Sequence, residues 1–266
     1  MIIGCHCYAG PGNGFTGPWD TRAPLDAYSK RALAAGIGRT ILFAAFHSDY
    51  MRANLEVARI VEQRRGRFAG FVFLHGERDR ARAERMVSYF VRRHGFRGIK
   101  VHRRDARISR EICEAARRFG LPVLYDVFGE VQAVHLLAEE YPDVDFIIPH
   151  LGSFGDDWSA QIAFVDSLAR YPNIYTDTSG VRRFDLLERA VKTAGARKIL
   201  FGSDGPWLHP GLELAKVLAL GLDSRDQEAV LRGNLLRLIA RRRPLSFEAS
   251  GHFRAVLRAG FEVLDR

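Results

Sequence analysis

Seven polar residues stand where short apolar runs give out. His6, His47, His75, His102 and His150 each fall at or just past the end of a run rich in β-branched and aromatic residues, as do Asp126 and Asp204. His209 follows the last run by a few residues, whereas His94, His135 and His252 lie in helical stretches. Imidazoles and carboxylates gathered in one concave site suit a divalent metal. Zinc takes nitrogen and oxygen ligands and, in catalytic sites, leaves a position open for water. Such an ion lowers the pKa of water and polarises a carbonyl, and a carboxylate beside it takes the proton. Each residue also has a plainer reading. A histidine at a strand end is commonly a hydrogen-bonded loop residue, which leaves His47, His75 and His209 unassigned. His102 shares a strand face with Lys100 and is either a site residue or a loop anchor. Asp126, directly after VLY, would be expensive to bury unpaired; a metal, a cationic partner or a helix to cap would each explain it. Asp204, in GSDGP, is held between an apolar strand and a Pro-containing turn and has little structural excuse.

The elements that would carry these residues recur. MIIGCHC, TILFAAF, FAGFVFL, FRGIKVH, LPVLYDV, DFIIPH, NIYTDTS and KILFGSD follow one another about every 25–30 residues, the span of a strand, a helix and their loops. They are nearly continuous in hydrophobicity, as parallel strands covered on both faces should be. Between them lie amphipathic stretches such as NLEVARIVEQRR, RAERMVSYFVRR, VQAVHLLAEEY, QIAFVDSLARY and DLLERAVKTAG. LDAYSKRALAAG and SREICEAARRFG end in Gly36 and Gly120, each placed as a left-handed residue just past a helix. Eight strand–helix units predict an α/β fold closed into a single (β/α)8 TIM-like barrel. An open doubly wound sheet would usually show GxGxxG after the first strand, and that motif is absent there. A barrel puts every one of the strand-end residues on its top face, where barrel enzymes keep their chemistry. The barrel is expected over residues 1–240, with extra C-terminal helices in a 241–266 extension. The first loop, AGPGNGFTGPWDTRAP, is long enough to be a flap over the mouth carrying Phe15 and Trp19, or simply a surface loop.

Composition narrows the class. The formal charge of +9 comes from basic residues spread along the whole chain, with no basic stripe of the kind a nucleic-acid binder concentrates. Attraction for anionic small molecules follows from that charge; nucleic-acid binding does not. Cys5, Cys7 and Cys113 are an odd number and read as reduced thiols. With neither a signal-type apolar segment at the start nor a membrane-length run, the expectation is a cytoplasmic protein without a membrane partner. A homodimer is compatible with the sequence on base rate alone, and nothing in the sequence selects the oligomeric state.

At this point the residues resemble the amidohydrolase superfamily, in its amidohydrolase-2 branch. FGLPVLYDVFG is similar to that branch's fifth-strand segment, DFIIPHLGSFG to the sixth and NIYTDTSG to the seventh. KILFGSDGPW resembles the eighth-strand motif, and AVLRGNLLRLIA, with Asn234, the closing helix. The resemblance implies a distorted (β/α)8 barrel and a metal-dependent hydrolase, decarboxylase or lactonase. It makes His150 a ligand or general acid/base, Asp204 a ligand and proton acceptor, and His6 the first histidine of the first-strand pair. Two positions depart from the pattern, since Tyr8 and Asp126 stand where the family has histidines. Asp126 remains a plausible oxygen ligand, and the expected ligand set is His6, Asp126, His150 and Asp204. Zinc is favoured; harder oxygen ligation brings in manganese or magnesium, and a metal-free site is the other expectation. Lys100 is expected to orient a substrate carboxylate or, with Tyr8, to stabilise an oxyanion. Arg103 and Arg182, with His102 and Trp19, are candidate substrate contacts; Arg104 and Arg183 stand beside the two arginines. The leading expectation is hydrolysis of a small anionic ester, lactone or amide, with Asp204 accepting a proton from water. Decarboxylation of an aromatic or dienoic carboxylate, a metal-independent lactonase and a catalytically dead ligand-binding barrel are the alternatives. A related metal-dependent DNase is disfavoured, because GIKVH lacks the acidic residue such enzymes carry on the fourth strand.

Overall fold

The first strand comes in two pieces, β1 (Ile2–Gly4) and β2 (Tyr8–Pro11), and a two-residue β3 (Arg22–Ala23) pairs antiparallel with the second. Then follow β4 (Ile37–Ala44), β5 (Phe68–Gly70), β6 (Val72–Phe73), β7 (Ile99–His102), β8 (Val123–Asp126), β9 (Phe146–Ile148), β10 (Ile174–Asp177) and β11 (Ile199–Leu200). This is a computed structural model that describes residues 1–13, 22–154 and 157–240. The eight expected runs all carry strand. From β7 through β10 every strand residue is buried, as strands covered on both faces must be.

All pairings around the ring are parallel. β4 lies between the first strand and β5, and β6 through β11 pair in chain order. Phe71 separates β5 from β6 and lets one strand serve two neighbours: its N–H donates to Leu42 O, while Val72 N–H donates to Gly98 O, both at 2.9 Å. Asn54, fully buried, braces the other side of β6, accepting from Phe73 N–H at 2.9 Å and donating to Phe73 O at 2.8 Å. The chain beyond β11 then closes the ring on the first strand. Cys5 N–H donates to Phe201 O at 2.9 Å, Tyr8 N–H to Gly205 O at 2.6 Å and Gly205 N–H to His6 O at 3.3 Å. The expected (β/α)8 barrel is thus the observed architecture.

The outer layer is α1 (Leu25–Ala34), α2 (Tyr50–Gln63), α3 (Ala83–His94), α4 (Arg110–Phe119), α5 (Gln132–Glu140), α6 (Trp158–Arg170), α7 (Phe184–Ala194) and α8 (Pro210–Ala219). The apolar stripe of α4, Ile112, Cys113, Ala115, Ala116 and Phe119, is buried against the barrel. Gly120 ends it at φ +60°, and Gly36 stands at φ +79° beyond α1, both as expected. α2 begins four residues before its apolar spacing suggests. Asp49 caps it by accepting from Met51 and Arg52 N–H, and the buried Tyr50 ring stacks on Phe73 at 4.1 Å. After α9 (Ser224–Glu228) and a π-helical turn over Ala229–Gly233, α10 (Asn234–Ile239) closes the described chain. The Asn234 amide donates to Ala196 O and Ile199 O at 2.8 and 2.7 Å, tying that helix to the entry of β11.

All three cysteines are free and buried. No helix among the described residues is long and apolar enough to cross a membrane. The loop with Phe15 and Trp19, and the 241–266 extension with His252, lie outside the described residues.

Candidate active site

His6 sits in the link between β1 and β2, fully buried, and both ring nitrogens are engaged by carboxylates. Nδ1–H donates to Asp177 Oδ2 at 2.8 Å, while Nε2 stands 3.2 Å from Asp204 Oδ1. Asp177, at the end of β10, is fixed in turn by Ser179, whose hydroxyl and backbone N–H donate to Oδ1 at 2.5 and 2.9 Å. Once Nδ1 carries the proton, Nε2 presents a lone pair to a carboxylate oxygen and has no hydrogen-bond partner. Burial holds the His6 pKa below its ordinary value, with Asp177 pulling the other way. A neutral imidazole oriented by a carboxylate is the form that ligates a metal.

His150 follows β9 and is poised differently. Nδ1–H donates to Ser179 O at 2.7 Å, and Nε2 lies 3.5 Å from Asp126 Oδ2. Burial alone would lower its pKa, but the hydrogen bond and charge of Asp126, with Asp204 and Asp177 behind it, push it up to about 9. Asp126 is heavily used. Oδ1 accepts from Phe128 N–H at 2.9 Å, and Oδ2 also meets His102 Nε2 at 3.1 Å. Burial would raise this carboxyl, yet His102 and His150 hold it well below the usual carboxylate range. The surroundings therefore push the two buried histidines in opposite directions, His6 down and His150 up; their ring centroids are 5.1 Å apart.

Backbone strain gathers in the same place. Phe128, His150, Leu151 and Asp204 are the non-glycine residues with positive φ among those described, at 50°, 61°, 54° and 46°. Such conformations persist only where the surroundings over-determine them, and they cluster at functional sites. Gln161 on α6, fully buried, supplies part of that constraint by donating to His150 O at 3.0 Å and Ser153 O at 2.9 Å.

These groups form one end of a cavity of about 290 Å³. His102, Asp126, His150 and Asp204 are its polar lining, and Tyr8, Phe46, Phe128, Phe154 and Trp207 its walls. Ligand atoms of His6, His150 and Asp204 all lie within 4.8 Å of one another, and Asp126 stands outside that cluster. Burial, then the charge of Asp204, pushes the Tyr8 phenol well above its usual range, so it keeps its proton. Lys100 is fully buried beneath the site, 5.0 Å from the Phe43 ring, with no hydrogen-bond partner among the described residues. Its pKa is lowered by burial and supported by Asp126, Asp204 and Asp177.

The expected substrate arginines do not line the cavity. Arg103 is drawn to Glu130 at 2.5 Å, and Arg182 is exposed at the approach to α7. The unassigned histidines brace backbone, His47 and His75 in loops and His209 as the N-cap of α8. Nδ1 of His47, His75 and His209 accepts backbone N–H from Asp49, Glu77 and Gly211, and His102 does likewise from Arg104 while also reaching Asp126. Asp177 and Ser179 are the additions the sequence reading lacked. The signal was present in NIYTDTS, a carboxylate ending a buried strand just as Asp126 does.

Among curated proteins no sequence matches this chain significantly. Solved structures match its fold over most of their length. 2,6-Dihydroxybenzoate decarboxylase from Rhizobium is 17% identical with a TM-score of 0.70, covering 90% of this chain and 98% of its own. Dihydroxybenzoic acid decarboxylase from Polaromonas, solved with manganese and the inhibitor 2-nitroresorcinol, is 18% identical with a TM-score of 0.67, covering 90% and 96%. A Pseudomonas putida protein proposed to be a 2-pyrone-4,6-dicarboxylic acid hydrolase is 17% identical with a TM-score of 0.67, covering 90% and 97%. At such identities the likeness concerns the fold. The sequence profile of the amidohydrolase family (Amidohydro_2) matches residues 17–241, and this chain belongs to that family.

Proposed function

We propose that the protein is a metal-dependent hydrolase of a small ester, lactone or amide built on a planar ring. One observation carries the reading: His6 Nε2 and Asp204 Oδ1 face each other at 3.2 Å without a hydrogen bond between them, beside an aromatic-walled cavity. Two lone pairs in that position repel unless a cation lies against both. A nitrogen and an oxygen each about 2.0–2.2 Å from one ion would be separated by roughly this distance. The residues present therefore fit a divalent ion, held by His6 and Asp204 and completed from Asp126 or a deprotonated His150. When bound, such an ion supplies Lewis acidity, polarising a substrate carbonyl and making nearby water easier to deprotonate.

The chain's own groups do the rest. Asp177 keeps the His6 proton on Nδ1. Asp204 accepts a proton from the attacking water. The Tyr8 phenol donates to the oxyanion as it develops. Where Asp126 completes the ion's ligands, His150, raised in pKa by Asp126 and donating Nδ1–H to Ser179 O, returns a proton to the leaving group. The aromatic walls stack on the ring and keep bulk water out. Lys100, fully buried and outside the cavity lining, offsets the charge of Asp126, Asp177 and Asp204.

A second reading, decarboxylation of an aromatic carboxylate, is favoured by the same walls and by the dihydroxybenzoate decarboxylases with this fold. There His150 would deliver its proton to the ring carbon that loses carbon dioxide. A panel of aryl esters, lactones and dihydroxybenzoates, assayed with zinc and with manganese for both acid release and carbon dioxide, separates the two. Release of acid without carbon dioxide is expected. Turnover that survives Asp204→Asn unchanged would remove the proposed role of that carboxylate.

A further inference from the structure

His6 and His150 are tied together by one short stretch of chain. Asp177 holds His6, the Ser179 hydroxyl holds Asp177, and the Ser179 carbonyl takes the His150 Nδ1 proton at 2.7 Å. Where that carbonyl points depends on the backbone of residues 178–181, which turns through Gly180 at φ +65°. A Cβ on Gly180 would come within 2.7 Å of the Phe154 ring and 3.2 Å of His150 Nδ1, so the turn passes tightly beneath the site.

The stretch is gripped from outside the barrel by two charged residues of α8. Glu213, 8% exposed, accepts the Gly180 N–H on Oε2 at 2.9 Å. Lys216 Nζ binds the same Oε2 at 2.7 Å and donates to Thr178 O at 3.2 Å and Val181 O at 3.0 Å. Donors and acceptors on both sides of Ser179 are thus fixed by one ion pair. Neither side chain lines the cavity. A charge pair of a buried carboxylate and a half-buried ammonium, used on three backbone groups of one turn, fixes orientation more than it adds stability.

We infer that Glu213 and Lys216 are positioning residues, which set the Ser179 carbonyl and thereby the proton on His150 Nδ1. The inference rests on the proposed site for its consequence, a metal affinity lowered roughly ten-fold when the clamp is removed. Its primary test does not depend on metal. Metal-free protein labelled with 15N-histidine is compared as wild type, Glu213→Ala, Glu213→Gln and Lys216→Met, by following exchange of the ring N–H protons with solvent. His135, bonded through Nε2 to Ser167 on α6 at 2.6 Å, is the internal reference.

Glu213→Ala and Lys216→Met should speed exchange of the His150 Nδ1 proton by about ten-fold or more and leave His135 unchanged. Glu213→Gln, which can still accept the Gly180 N–H, should fall between them and wild type. Unchanged His150 exchange in both Glu213→Gln and Lys216→Met overturns the inference, whether or not Glu213→Ala folds. Loss of the His135 signals together with those of His150 overturns it too, since that is general loosening. A manganese titration of the same samples keeps the two ideas apart. If wild type binds no metal, the hydrolase reading fails while the exchange result still decides the role of the clamp.

Discussion

Histidine at the end of a strand has two uses in this barrel. His47 and His75 spend Nδ1 on a backbone N–H of the following loop and His209 on one in the first turn of α8, while His6 and His150 spend it on Asp177 and on the Ser179 carbonyl. The difference is invisible in residue type and spacing, because both uses need an imidazole at the same place. What separates them is the partner across the barrel, about 170 residues away for His6. Replacing that partner gives the first prediction. Asp177→Asn frees the His6 tautomer and puts an amide against Nδ1, so metal affinity should fall by roughly 10–100-fold. Calorimetric titration with manganese reads this directly, and an unchanged affinity would show that Asp177 does not orient His6. The second prediction concerns pH. In chelator-treated protein the folded pKa of His150, about 9, lies above its unfolded value of ~6.5. Its contribution to stability is therefore full below ~6.5 and lost as pH rises through about 9. Asp126 is shifted the opposite way, so its contribution is present above its unfolded pKa, ~4, and lost in acid. Thermal melts at pH 6, 7.5 and 9 should show wild type losing stability relative to His150→Gln across that window. Parallel curves would mean that His150 is uncharged in the fold.

At the scale of elements the eight strands were legible, because a strand buried on both faces leaves an unbroken apolar run. So were the helix ends at Gly36 and Gly120, where a left-handed residue is the cheapest stop. The start of α2 was not legible. It is decided by the Asp49 cap and by Tyr50 stacking on Phe73, a contact with another strand's residue. The break at Phe71 was likewise hidden, since FAGFVFL looks like one strand although the chain changes neighbours in its middle. Asn54 makes that change tolerable by binding both backbone groups of Phe73 from inside α2. Asn54→Leu keeps the branched outline of the side chain and removes both bonds, leaving a buried donor and a buried acceptor unmatched at about 1–3 kcal/mol each. Urea unfolding should show a loss of roughly 2–6 kcal/mol. A change below ~1 kcal/mol would mean that the strand finds other partners for those groups.

Closing eight strands into a ring makes one site from residues that no local window contains. His6, Asp126, His150, Asp177 and Asp204 sit on five different strand ends, and the seam from Cys5 to Phe201 brings the first of them against the last. The positive charge of the whole molecule plays little part there. Among the described residues no arginine or lysine lines the cavity, and many surface arginines are paired with exposed carboxylates, as in Arg110–Glu140 and Arg118–Glu84. Such pairs contribute about 0–1 kcal/mol each. The cavity end instead concentrates Asp126, Asp177 and Asp204 against His6, His150 and Lys100, and that arrangement is most strained when no cation stands between His6 and Asp204. Stability should therefore be linked to metal. A ligand that binds only the folded chain, present at 100 times its dissociation constant, stabilises by about 2.7 kcal/mol. For a chain of 266 residues that is roughly 5–10 °C in melting temperature. Chelation should lower the melting temperature of wild type by that order, and zinc or manganese should restore it in a concentration-dependent way. Asp204→Ala should melt at one temperature whatever is added. A wild-type melt indifferent to both chelator and metal would mean that the Asp204 carboxylate meets His6 through a shared proton. Catalysis would then have to rest on the His150 imidazolium, Tyr8 and Asp204 alone.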